Sequence, residues 1–323
     1  MNSEWITPLL GRQGPFATVV VDAMPSGHSP MSDDVAAQRE ALVASLTDQG
    51  APQSVIAALE AAALHPTRRA GAHGRMLIAD ATGVVVDRPL RHRPPQPSAS
   101  WAFSPYLIRC ALAADDEVST LRVAVDHDGA DLLVAGPHAW ELEQTVWAPG
   151  STAERAFDRA ARSIAGMVEE TVAEESPELI CLWGEPLMMA AVKAALTRGT
   201  ADLVVEIPGG RRDAFVPPGP FRDNFESAIK AFRDRRREGV LSAFRFDTEA
   251  TTTVTGLDEV RTSLMSSSVS NLVIAVDTAQ DAIDREDATL VPLILSAAGQ
   301  GAGITFAPDG FADLLDGVGA TLR

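Results

Sequence analysis

Cysteine is scarce: Cys110 and Cys181 are the only two in 323 residues. Both sit in apolar runs, YLIRCAL and PELICLW, that read as buried strands, so two inert core thiols are expected rather than a disulfide or a metal pair. This usage fits a reducing compartment. Long hydrophobic runs are also missing. The longest are about strand length, short of the roughly 18 to 20 residues that a membrane helix needs. The opening MNSEWITPLLGRQGPF lacks the basic start and apolar core of a signal peptide, and a soluble, cytoplasmic protein with no membrane contact is expected. Positive charge is in deficit: 27 Lys and Arg face 44 Asp and Glu, a net charge of −17. Nucleic acid is therefore repelled at long range. No DNA binding is expected, and any RNA contact has to come from a local basic patch.

Motifs for chemistry are missing too. The six histidines (28, 65, 73, 92, 127 and 138) show no zinc-binding spacing, and no HExxH or CxxC occurs. No GxSxG elbow and no P-loop is present. Gly299-Gln300-Gly301-Ala302-Gly303 follows an apparent helix and precedes a strand, the reverse of a phosphate-binding turn, and reads as a connecting loop. His127 stands beside Asp126, Asp128 and Asp131, a group that could take a cation. A solvated hairpin tip built on Asp128-Gly129 is the favoured reading. Neither a catalytic residue, a metal nor a cofactor is expected.

What is present is an alternation of strand-like and helix-like segments in three stretches, an α/β pattern with partly parallel sheets. GPFATVVVDA opens the first stretch as a buried strand. Ser32 is placed to cap a helix with the stripe Val35, Leu42, Val43 and Leu46, ended by Gly50. PQSVIAALEAAAL is a second helix starting at Pro52. RMLIADATGVVVDRPL reads as two strands turning at Thr82-Gly83. The second stretch opens with the hairpin LRVAVDHDGADLLVAG, then the strand WELEQTVW, a long helix capped by Ser151, the strand ELICLWGEP, a helix stopped at Gly199, and the strand DLVVEIP. The segment 208–221, with Pro208, Pro217, Pro218 and Pro220, is the clearest boundary. Beyond it come the helix FRDNFESAIKAFRDRRREGVLSAF, the helix GLDEVRTSLMSSSV, the strand SNLVIAVD, the helix DATLVPLILSAAG, the strand ITFAP and the closing FADLLDGVGATLR.

Two stretches are locally basic. His65 to Arg93 holds Arg68, Arg69, Arg75, Arg88, Arg91 and Arg93, with Gly71 and Gly74 leaving room for a phosphate to approach the backbone. For this stretch an RNA-facing loop and an ordinary surface are about equally supported. The second is Arg233, Arg235, Arg236 and Arg237, read as a solvated helix face.

The order of these segments resembles the bacterial archaeo-eukaryotic release factor family within the release factor/Pelota superfamily, and its Balon-like ribosome hibernation subgroup. GPFATVVVDA, GAHGRMLIAD, LRVAVDHDGADLLV, ELICLWGEP, GLDEVRTSLMSSSVSNLVIAVD and LLDGVGATLR carry the likeness. It implies three consecutive α/β sandwich domains resembling the family's N, middle and C domains: 1–118, 119–208 and 209–323. In that family the middle domain presents Gly-Gly-Gln on a loop between a strand and a long helix, where it positions the water that hydrolyses peptidyl-tRNA. Here the matching stretch is Trp147-Ala148-Pro149-Gly150-Ser151. It has one glycine and no glutamine, and at little more than 3 Å per extended residue it reaches less far. The resemblance thus implies a non-catalytic factor in the A site of idle or stressed ribosomes. Arg68, Arg69, His73 and Arg75 would meet ribosomal RNA at the small-subunit decoding centre, and the elongation factor EF-Tu would be a delivering partner. Two alternatives stay open. One is a peptidyl-tRNA hydrolase with an altered loop, in which a residue such as Glu154 orients the water. The other is a stress-related protein-binding module that no longer binds ribosomes.

Overall fold

The run FATVVVD has no polar alternation because the strand it forms, β1 (Phe16–Asp22), is covered on both faces. Phe16 and Val20 join one core, and Ala17, Val19 and Val21 another. The second core is closed by two helices, α1 (Asp33–Asp48) and α2 (Gln53–Leu64), through Leu46, Val55, Ile56 and Leu59. The computed structural model describes the chain apart from residues 1–2, 24–32, 66–72, 91–93, 95, 136–142, 148–153, 213–218, 247–251, 286, 309–310 and 312–313, with backbone alone at 33–36, 143–147, 154–156 and 246. Ser32 and Ser151, expected as helix caps, lie outside the described residues.

Two helices in succession return the chain to the end of the sheet it left. The next strand, β2 (Gly74–Asp80), therefore runs antiparallel to β1. It turns at Thr82-Gly83 into β3 (Gly83–Leu90), and β4 (Ser98–Ala102) closes the other side. The order is β3-β2-β1-β4 and every pairing is antiparallel. The partly parallel sheet expected of each stretch is thus not found in the first. YLIRCAL is a second departure, since it enters a helix, α3 (Ile108–Asp115), rather than a strand. Leu107, Cys110, Ala111 and Ala114 are buried at helical spacing.

The middle sheet has the order β7-β6-β5-β8-β9. Its hairpin is β5 (Thr120–Asp126) with β6 (Gly129–Ala135), followed by β7 (Glu143–Trp147). One long helix, α4 (Glu154–Glu175), reverses the chain, so that β8 (Leu179–Gly184) lies parallel to β5. Then come α5 (Pro186–Ala195), a short α6 (Arg198–Asp202) and β9 (Val204–Glu206). Gly199, the expected stop, lies inside α6. The helix before it has already ended, and Thr197 N–H donates to Glu169 of α4 at 2.7 Å. One face of the sheet packs on Ile164, Val168, Met188 and Val192. The other face, with Cys181 and Trp183, is covered by Phe221, Phe225 and Ile229 at the start of α7 (Gly219–Phe246).

The third sheet has the order β10-β13-β11-β12. Its elements are β10 (Thr253–Thr255), α8 (Leu257–Met265), β11 (Val269–Ala275), α9 (Val276–Asp284), α10 (Val291–Gly299), β12 (Gly303–Ala307) and β13 (Val318–Leu322). Within this sheet β11 and β12 pair in parallel and the other described pairings are antiparallel. The strand expected through Asp277 stops at Ala275, and Val276 opens α9. Gly299 to Gly303 joins α10 to β12, as its order in the sequence implied. Each sheet falls within one of the stretches 1–118, 119–208 and 209–323, while residues 219–235 pack with the middle sheet. By packing the chain forms two compact units, residues 1–117 with 236–323 and residues 118–235. Among the described residues no helix is long and apolar enough to cross a membrane.

Candidate functional site

The basic stretch of the first sheet turns much of its charge inward. Arg75 lies in β2 opposite Pro89 of β3 and is 5% exposed. Its Nε and NH2 donate to the two carboxylate oxygens of Asp87 at 2.7 and 2.6 Å, and its NH1 donates to the His65 carbonyl at 2.7 Å. His73 is buried, and its carbonyl accepts the N–H of Ala23 at 2.9 Å. These contacts tie off both ends of the segment 66–72. Arg88 is also buried. It donates to Glu117 at 2.6 Å and lies 4.9 Å above the Trp5 ring. Arg75 and His73, two of the residues expected at an RNA contact, are thus both buried. Arg68 and Arg69, with Arg91 and Arg93, lie outside the described residues.

In the second basic stretch Arg235 is exposed, but two of its neighbours turn inward. Arg236 and Arg237 sit on α7 and point at the end of α3, where Arg237 donates to the carboxylate of Asp115 through Nε at 2.9 Å and NH2 at 2.7 Å. An acidic partner more than a hundred residues away cannot be seen from the local run.

In the middle unit the Asp128-Gly129 turn is organised by Asp126, whose Oδ1 accepts the N–H groups of Asp128 and Gly129 at 2.9 and 3.0 Å. Arg212, 12% exposed, reaches into the same turn. It donates to Asp126 at 2.9 Å and to both oxygens of Asp131 at 2.9 and 3.1 Å. Burial opposes the charge of Asp126, but Arg212 and the two turn N–H groups hold its carboxyl below the ordinary aspartate value. Burial likewise opposes the Arg212 charge, and Asp131 and Asp126 hold its pKa above the usual one. The ligand-type atoms of Asp126, His127 and Asp128 lie within 4.8 Å of one another. Two of the four residues first grouped as able to take a cation, Asp126 and Asp131, are thus neutralised by an arginine.

Beside this turn a cleft of about 590 Å³ opens at the C-terminal ends of the parallel strands β5 and β8, where their connections leave in opposite directions. His127 and Arg211 are exposed at its mouth, and Glu185 stands 3.7 Å from His127 Nδ1. Gly184 has φ +129°, and a Cβ there would lie 1.8 Å from the carbonyl oxygen of Val125, so the two strand ends approach as closely as they do only with glycine. The Trp183 indole holds the cleft's other wall by donating to the Arg211 carbonyl at 3.1 Å. Sequence reasoning missed this cleft because Arg211 and Arg212 were read as linker. Their position directly after a Gly-Gly pair, within reach of an acidic hairpin tip, was the available signal.

β7 ends with Trp147 at the same end of the sheet. Trp147 pairs with Gly129 beside the hairpin turn, and α4 starts at Glu154. Pro149, Gly150 and Ser151 lie outside the described residues. Burial pushes the thiols of Cys110 and Cys181 up to about 12, which leaves neither as a thiolate near neutrality.

Two uncharacterised proteins of Mycobacterium tuberculosis, from strains CDC 1551/Oshkosh and H37Rv, are 25% identical to this chain, over 85% of it and 78% of each relative. Among solved structures, Saccharomyces cerevisiae Dom34, a translation termination-like factor, aligns at 11% identity over 78% of this chain and 79% of its own, with a TM-score of 0.49. A ribosome-bound archaeal Pelota aligns at 12% over 99% and 92%, with a TM-score of 0.47. Residues 147–249, from the end of β7 through α4, the cleft and α7, match the family described as Bacterial archaeo-eukaryotic release factor family 2. The likeness to the bacterial archaeo-eukaryotic release factor family is thus carried by this segment of the chain.

Proposed function

We propose that this protein is a non-catalytic, ribosome-associated factor that occupies the A site of idle or stressed ribosomes and is delivered there with EF-Tu. Its three domains would be 1–118, 119–208 and 209–323, and it would work in the cytoplasm. The observation that carries the reading is the family match over 147–249. That match begins at Trp147, and in this reading Trp147-Ala148-Pro149-Gly150-Ser151 stands where the family's releasing factors hold Gly-Gly-Gln. A factor with this connection would sit beside peptidyl-tRNA without a group to position water.

In this reading the first domain meets the small-subunit decoding centre through Arg68 and Arg69. Arg75 and His73 act from within, by fixing the ends of the segment that bears those two arginines. With a net charge of −17, the protein has no long-range attraction to RNA and depends on this short-range contact.

The test is co-sedimentation with ribosomes from stationary-phase cells across a salt series. Binding at low salt is expected, and replacing Arg68 and Arg69 with Ala should lower the slope of log affinity against log salt by about 1.5 to 2. Absence from the ribosomal fractions at low salt would overturn the reading.

A further inference from the structure

We infer that residues 1–117 and 236–323 are one cooperative body, locked through Asp115, so that a ligand bound to either part stabilises the other. Residues 118–235 are an insertion that opens separately. Nothing in the order of three α/β stretches implies this, and it does not depend on what the protein binds.

Three kinds of contact join the first and third parts. The apolar core is continuous: Ile6, Leu107 and Ile108 of the first part share one cluster with Ile274, Ile294 and Phe306 of the third. Such a cluster has no internal surface at which one part could separate without exposing the other. Tyr106 supplies a polar tie. Its N–H donates to Thr18 Oγ1 in β1 at 3.0 Å, and its hydroxyl donates to the Ile283 carbonyl in α9 at 2.6 Å. The first sheet is thereby connected to the third part through one residue.

Asp115 is the third contact. It is 1% exposed at the end of α3, and its Oδ2 accepts from both Arg237 donors and from the Phe306 N–H of β12 at 3.3 Å. Arg236 NH2 donates to the Asp115 backbone carbonyl at 2.5 Å. Burial opposes the Arg237 charge, yet Asp115 and Asp116 together hold its pKa above the usual value. Replacing Asp115 alone, with the parts still packed, leaves the Arg237 guanidinium without its buried partner, which is the costly way to break such a pair. No comparable tie is needed for the insertion to fold, because the middle sheet is covered on both faces by residues of 118–235 themselves.

Native-state hydrogen exchange on the full chain tests the coupling. Asp115→Asn keeps the shape and removes the charge. It should speed the slowest exchange of β1 and β2 in the first part and of β11 and β12 in the third by the same factor, on the order of 100-fold. The slowest amides of β5 and β8 should be unaffected. If Asp115→Asn does not fold, Tyr106→Phe removes the hydroxyl's bond to the Ile283 carbonyl, and it should accelerate both parts equally by roughly 5-fold. Acceleration confined to residues 1–117, or an equal acceleration in the insertion, overturns the inference.

Discussion

Removing the Arg212 side chain should destabilise the middle unit by a predictable amount and in a pH-dependent way. Arg212→Ala deletes three charge-assisted hydrogen bonds to Asp126 and Asp131, whose side chains are 31% and 15% exposed. A fully buried pair broken on one side costs about 3 to 5 kcal/mol. Here water reaches Asp126, which also keeps its bonds to the N–H groups of Asp128 and Gly129, so a cost of about 2 kcal/mol is expected. For a unit of this size that corresponds to a fall in Tm of about 8 °C. Arg212→Lys restores the charge without the planar fork that grips both carboxylates, and should fall between the two.

The sign of the pH effect follows from Asp126. Its folded pKa is lowered, so its contribution is fully present above the unfolded value of about 3.9. It fades as pH falls through the lower folded value. The gap in Tm between wild type and Arg212→Ala should thus be full at pH 7 and smaller at pH 3. Scanning calorimetry of the full chain measures it, with exchange at β5 and β8 assigning the transition to the middle unit. A variant that melts within 1 °C of wild type at pH 7, or a gap unchanged at pH 3, would refute the clamp.

Gly184→Ala should destabilise the same unit by roughly 3 kcal/mol or more, since the added methyl meets the Val125 carbonyl at 1.8 Å and φ is +129°. Chemical denaturation checks this, and a loss under 1 kcal/mol would show that the strand ends can part. Gln49→Ala should cost about 1 kcal/mol and promote self-association. The Gln49 amide donates to the Ala99 carbonyl and accepts the Trp101 N–H, taking two groups that the edge strand β4 would otherwise offer to another strand. Sizing chromatography reads the outcome, and an unchanged profile at high concentration counts against that role. Peptidyl-tRNA on ribosomes should not be hydrolysed by the protein, so Glu154→Ala should have no release activity to remove. Turnover lost in that variant would favour the hydrolase alternative.

Elements set by local chemistry were legible in the sequence. The Val19 to Val21 run, the Asp128-Gly129 hairpin and the Pro52 helix start all depend on neighbours within a few residues, and all occur where expected. Misreadings arose where a local pattern had two solutions. YLIRCAL is apolar enough for a strand, and only the spacing of Leu107, Cys110, Ala111 and Ala114 selects a helix. Val276 and Asp277 look like the end of a strand, but the chain turns into α9 there. The helix after Pro208 looks like the first element of a new domain. Phe221, Phe225 and Ile229 bring its opening turns onto Trp183, a contact that no feature of the helix alone announces.

Charge was harder to read than apolar pattern, for a physical reason. In a chain where acids outnumber bases 44 to 27, a run of arginines is surrounded in three dimensions by more carboxylates than its own window contains. Arg75 meets Asp87 twelve residues on, Arg88 meets Glu117, and Arg237 meets Asp115 more than a hundred residues back. A guanidinium already gripped by a carboxylate has little left for a phosphate, because it would have to exchange one charge-assisted pair for another. Local basic density therefore overstates the surface open to RNA. The salt slope of ribosome binding counts phosphates that are actually neutralised. If Arg68 and Arg69 carry the contact and Arg75 only braces it, Arg75→Gln should weaken binding while leaving the slope unchanged. A slope that falls by about 1 in that variant would mean that Arg75 leaves Asp87 to meet the RNA itself.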